Sequence, residues 1–237
     1  MEINIREIVT FLDAPQDNER HHVSSVIGII GEDLNASAFV HYLRRKNPHA
    51  TVIENEKPVQ GKRPGKWLDR WIDVCDAVGV QTLFQCEIKN WSGAAFNGYT
   101  LGVGCEEKDL RELAVRRWQD QVDSFDKPSQ PTGTTKVLLK MQPPEGYEGV
   151  PIRPALLYWM PVQLFGDPDL KPAFEVPIQD LRIPDSLDCV FEKNDKLLVF
   201  SVSMYLRQLL QEGSQTIDLD MPDAEKRIEI LSRVCRQ

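Results

Sequence analysis

The spacing of apolar positions changes several times along the chain, and each change marks a predicted element. Residues 3–12 repeat at helical spacing, with Ile5, Ile8, Val9 and Leu12 on one face. A second helix is predicted over about 25–46. Its last turn holds Arg44, Arg45 and Lys46, where cations complement the helix dipole, and Asn47-Pro48 stops it. The period then shortens to that of strands. The stretches "ATVIENE" (50–56), "KWLDRWIDV" (66–74) and "VQTLFQCEIKNW" (80–91) predict three strands. A loop, "VQGKRPG", separates the first two, and "CDAVG" turns the chain between the second and third.

The glycine-bearing "SGAAFNGYTLGVG" (92–104) predicts a loop. Residues 106–125 predict a helix, because Leu110, Leu113, Ala114, Trp118, Val122 and Phe125 recur at helical spacing behind an acidic first turn. Two further strands follow, "KVLLKM" (136–141) and "PALLYWMPV" (154–162), both too apolar for a sheet edge. Beyond 163 the recurring prolines predict extended, wrapping chain. A hairpin is expected about Asn194-Asp195, and "SMYLRQLLQE" and "DAEKRIEILSRV" are expected to be closing helices. The order is helix, three strands, helix, two strands, which is an α/β core with a mixed central sheet flanked by helices. The predicted division is a helical extension over 1–24, a core over 25–162 and a C-terminal extension over 163–237 packed on that core.

Composition narrows the classes. The 237 residues are 41% hydrophobic and 27% charged, as in a soluble globular protein. No run approaches the roughly 18 apolar residues of a membrane helix, and the acidic, amphipathic start is unlike a signal peptide. Cysteines 75, 86, 105, 189 and 235 have no paired spacing, so neither a zinc site nor a disulfide framework is indicated and a reducing cytoplasm is expected. Cys86 reads as a core residue. The net charge of −8 argues against non-specific coating of nucleic acid. A local basic run, Lys57, Lys62, Arg63, Lys66 and Arg70, reads most simply as a solvated loop. His21, His22, His41 and His49 lack metal-ligand spacing and read as surface residues. Trp91 is the tryptophan placed to stack on a base.

The chemistry concentrates in the hairpin around "CDAVG". A turn centred near residue 78 puts Asp69 opposite Glu87, to within about one residue of register. Residues so placed have Cβ atoms roughly 5 Å apart. Two carboxylates that close either share a proton or take a cation between them. A divalent ion with hard oxygen ligands, such as Mg²⁺, resolves the conflict. Alternation places Gln85, Glu87 and Lys89 on one face. The natural partner of Lys89 is then an anion held by the ion, and a phosphate with an attacking water fits. Asp73 has the same parity as Asp69 and competes for the metal. Glu32 lies on the stripe Glu32, Ala36, Phe39 and Leu43 that should face the sheet; it is either a third acid of the site or an acid satisfied near the helix start. The remaining reading of Glu87 and Lys89 is a surface ion pair on an edge strand.

Glu32 in a first helix, Asp69 in a strand, the run Gln85-Cys86-Glu87-Ile88-Lys89 in its hairpin partner and the helix 106–125 together resemble the PD-(D/E)xK, restriction-endonuclease-like nuclease superfamily. The "QxExK" form is similar to that of archaeal Holliday-junction resolvases. The resemblance covers about 25–162, and Leu68 stands where the family has proline. It implies an αβββαβ core and a metal-dependent nuclease that hydrolyses phosphodiester bonds, with DNA as substrate. It further implies that Asp69, Glu87 and Glu32 bind Mg²⁺ (or Mn²⁺), that Lys89 is the catalytic lysine and that Gln85 is a polar accessory. The partners expected are nucleic acid, no membrane, and a homodimer or larger assembly. The alternative is a catalytically silent nuclease-fold protein that binds nucleic acid or protein within a defence or repair assembly.

Overall fold

The computed structural model describes residues 1–13, 20–55, 69–89, 137, 142–158, 178–182 and 196–235. For 11–13, 20–29, 54–55, 89, 179 and 181–182 it describes the backbone alone. The loop expected at 92–104, the helix expected at 106–125 and most of the basic run lie outside these residues, as do the side chains of His21 and His22.

Strand β1 (Glu2–Asn4) leads into helix α1 (Ile5–Asp13), and helix α2 (Arg20–Lys46) follows. Next come β2 (Thr51–Asn55), β3 (Arg70–Cys75), β4 (Gln81–Lys89), β5 (Ile152–Tyr158), β6 (Ile178–Arg182) and β7 (Lys196–Ser201). Helix α3 (Val202–Gln211), strand β8 (Thr216–Asp218) and helix α4 (Pro222–Cys235) complete the described chain. No helix of the described residues is long and apolar enough to cross a membrane.

Six strands form one mixed sheet in the order β2-β3-β4-β5-β7-β6, and β1 pairs with β8 in a separate ribbon. The first three strands form an antiparallel meander. β5 runs parallel to β4 and β7 parallel to β5, whereas β6 is antiparallel to β7. The α/β class with a mixed, helix-flanked sheet is therefore present. The sheet does not stop at 162, because β7 and β6 extend it. The turn expected about Asn194-Asp195 lies outside the described residues; β7, which follows it, has β5 on one side and β6 on the other. Within 136–141 only Val137 is described, and it lies in a 3₁₀ turn rather than a strand.

One face of the sheet carries Ile72, Val74, Phe84, Cys86, Ile88, Ala155, Leu157, Leu198 and Phe200. This face packs on Ala36, Phe39 and Leu43 of α2, on Tyr205, Leu206 and Leu209 of α3, and on Ala224 of α4. Phe39 anchors the contact, with its ring edge-on to Phe84 at 5.5 Å and 5.0 Å from Phe200. The other face presents Trp71, Leu83, Leu156, Tyr158, Leu197 and Val199, and these are buried too. Burial on both faces is why β5 and β7 read as nearly continuous apolar runs. Cys86 is a core residue, as expected.

Candidate functional site

The site begins with a turn. The Asp76 carboxylate accepts from the N–H groups of Val78 and Val80 at 3.0 and 2.8 Å, and Gly79 takes φ 85°. An aspartate bonding to backbone just ahead of it and a glycine with positive φ are the local chemistry of a tight turn. This turn sets the β3–β4 register. Arg70 pairs with Cys86, Trp71 with Gln85 and Asp73 with Leu83, so the hairpin is centred on residue 78.

Continued by one residue, that register puts Asp69 opposite Glu87. The side chain agrees, since Asp69 Oδ2 accepts from the backbone N–H of Ile88 at 2.6 Å. The competitor Asp73 is occupied elsewhere: its Oδ2 accepts from Gln81 Nε2 at 3.0 Å and from the Tyr147 hydroxyl at 3.3 Å. Of the two aspartates, Asp69 is the one that faces Glu87.

Glu87 is 2% exposed and β4 lies between β3 and β5. A solvated ion pair on an edge strand is therefore ruled out for this carboxylate. Lys89 closes β4 opposite Tyr158, and alternation puts position 89 on the face of position 87; its side chain lies outside the described residues. Gln85 is fully buried and its Nε2 donates to the carbonyl of Val137 at 2.8 Å, which makes it a tether for the segment around 137.

Glu32 is half-buried on α2. The residue after it, Asp33, reaches Arg70 Nη2 at 3.3 Å, and Arg70 is the residue after Asp69. Arg70 also donates through Nη1 to the carbonyl of Asp69 at 3.2 Å and through Nη2 to Asp223 at 3.2 Å. Asp33 Oδ2 accepts from the Ala224 N–H at 2.9 Å, supplying an acceptor to an otherwise orphan donor in the first turn of α4. Arg70 is thus a buried strut joining β3, α2 and α4, which corrects its assignment to a solvated basic loop.

Tyr158 was not singled out in the sequence. It is buried on the face of Glu87, and burial first and the Glu87 carboxylate second push its phenol far above the ordinary range. A lone hydroxyl inside the apolar run "PALLYWMPV" was the available signal. His41 is likewise not a simple surface residue. It is half-buried with Nδ1 2.6 Å from the Tyr205 hydroxyl, and burial, then Arg45 and Arg44, lower its pKa.

Asp69 and Glu87 suit a hard divalent cation. They are two oxygen donors on facing backbone positions, one of them deeply buried, and Mg²⁺ takes one or two carboxylates and completes its shell with waters. Among the described residues no three His, Cys, Asp or Glu side chains gather into a metal-sized cluster, so Glu32 is not drawn into a three-acid set with Asp69 and Glu87. Compared with known proteins, the chain matches no family model, no curated protein and no solved structure.

Proposed function

We propose that the chain is a metal-dependent nuclease that hydrolyses phosphodiester bonds in nucleic acid, DNA first, on a restriction-endonuclease-like core. The placement of half-buried Asp69 opposite buried Glu87, one residue beyond the β3–β4 ladder, carries this reading, because a buried carboxylate facing a second one calls for a cation. The antiparallel run β2-β3-β4 continued by a parallel β5, with α2 on one face, supports the αβββαβ arrangement.

Asp69 and Glu87 would hold Mg²⁺ or Mn²⁺. When bound, the ion supplies Lewis acidity and a water of lowered pKa. Arg70 fixes the backbone of Asp69 through its carbonyl, and Tyr158 shapes the dry surroundings of Glu87. Lys89, two residues beyond Glu87, orients the attacking water or offsets charge on the phosphate.

The test is incubation of the purified chain with single-stranded, duplex and branched DNA and with RNA, in Mg²⁺, Mn²⁺ or chelator. Cleavage that needs metal, and that falls about a hundredfold or more in Glu87→Gln and Lys89→Ala, is expected. No cleavage of any substrate, together with no metal-induced rise in melting temperature, overturns the reading. A second reading draws on the Ile88 N–H bond to Asp69 and on the lack of a three-acid cluster among the described residues. On that reading the chain is a catalytically silent nuclease-fold protein that binds nucleic acid or a protein partner. A metal-dependent melting shift without cleavage identifies it.

A further inference from the structure

A pocket of about 280 Å³ lies between α2, β2 and the segment joining β8 to α4. Val40, Val52 and Leu219, all buried, and the exposed Ile53 form its apolar part. Ser37, His41 and Arg44 line it from α2, and Asp218 and Asp220 line it from the β8–α4 segment. The volume is just below that of typical ligand pockets, which run roughly 300–1,000 Å³, and suits a small ligand.

The charges in and around this pocket are matched unevenly. Arg45, the neighbour of Arg44, pairs with Glu212 at 2.5 Å, and Asp218 takes the Met1 ammonium at 3.3 Å. Arg44 and Asp220, both exposed, stand at the rim of the same pocket, yet neither forms an ion pair with the other or with any described residue. Arg44 spends one N–H on the Val52 carbonyl at 3.0 Å and keeps its other donors. The Asp220 wall is held in place, because Ser37 Oγ donates to the Asp220 carbonyl at 2.5 Å. A fixed wall lowers the ordering cost of binding.

His41 lines the pocket beside Arg44 with its Nδ1 2.6 Å from the Tyr205 hydroxyl, and burial followed by Arg45 and Arg44 favours its neutral form. An apolar base, a cation on α2 and an anion on a separate element make a site with two poles.

We propose that this pocket binds a small zwitterion, a free α-amino acid with an aliphatic side chain. Its carboxylate pairs with Arg44, its ammonium with Asp220, and its side chain packs on Val40, Val52 and Leu219. Charge-assisted bonds at both ends distinguish this ligand from a plain acid or amine of the same shape. The site is separate from Asp69 and Glu87 and stands whether or not the chain cleaves nucleic acid.

The experiment is isothermal titration of the full chain with the aliphatic amino acids, with the leucine analogues 4-methylpentanoate (no ammonium) and 3-methylbutylamine (no carboxylate) as probes. Saturable binding of at least one amino acid is expected. If that ligand is leucine, both analogues should bind about tenfold or more weakly; for another amino acid its own deaminated and decarboxylated analogues serve. Arg44→Gln and Asp220→Asn should each weaken the amino acid by about tenfold while the circular dichroism spectrum stays that of the parent. No saturable binding of any aliphatic amino acid overturns the proposal. So does equal binding of either analogue, or binding undiminished in both variants.

Discussion

Replacing Asp33 by alanine removes the acid that ties three elements together behind Asp69. The Asp33 and Arg70 side chains are 3% and 5% exposed, so the pair is desolvated. Removing one member of a buried pair costs about 3–5 kcal/mol, and the Ala224 N–H, left without its acceptor, adds about 1–3 kcal/mol if no water replaces it. Against this, Arg70 keeps Asp223, whose side chain is 46% exposed, so the guanidinium retains a counter-charge. The net expectation is a loss of about 3–5 kcal/mol, a fall in melting temperature on the order of 10 °C for a chain of this size. Urea denaturation followed by far-ultraviolet circular dichroism measures it. Asp223→Ala, which removes only the half-exposed partner, should cost about 1 kcal/mol or less. Asp33→Asn should fall between, since its amide oxygen still accepts from Ala224. Because Arg70 also holds the Asp69 carbonyl, Asp33→Ala should weaken any Mg²⁺-induced stabilisation as well. The reasoning is refuted if Asp33→Ala lies within about 0.5 kcal/mol of the parent, or if Asp223→Ala is the more damaging of the two.

Gln85→Leu strands the buried Val137 carbonyl and should cost about 1–3 kcal/mol in chemical denaturation while leaving the melting response to Mg²⁺ in place; loss of that response would make Gln85 part of the metal site instead. His41 has a folded-state pKa below its ordinary 6.5, so folding favours the neutral ring. The stability it contributes is present above 6.5 and is lost as pH falls through the lowered value. His41→Gln should therefore flatten the acid limb of a stability-against-pH curve, and an unchanged slope would contradict this. Ser201 Oγ accepts from the Met204 N–H at 3.4 Å as the N-cap of α3, so Ser201→Ala should cost about 1 kcal/mol and about 2–4 °C in a thermal melt.

The hairpin was legible in the sequence because its register is set locally. Asp76 and Gly79 shape the turn, and alternation from that turn carries Asp69 to a position opposite Glu87 and Lys89 to the face of Glu87. The helices at Arg20–Lys46, Val202–Gln211 and Pro222–Cys235 were legible for the same kind of reason, since helical spacing and capping act over a few residues. The competition between Asp69 and Asp73 was not. Parity allowed either, and only the folded chain shows Asp73 engaged by Gln81 and by Tyr147, which is 74 residues away.

Long-range pairing lay beyond sequence patterns. Nothing near Lys196–Ser201 says that β7 sits between β5 and β6. Arg70 looked like one cation of a solvated run until its strand delivered it to Asp33 and Asp223, 37 and 153 residues away. The sequence by itself determined the periodicity of each element, the parity of the candidate residues and the register across one turn, because those depend on neighbours a few residues apart. Tertiary structure decided the sheet order, the burial of Glu87 and Arg70, and the partner of each charge. Those depend on which distant segment returns to cover a group and on the cost of leaving a desolvated charge without a counter-charge.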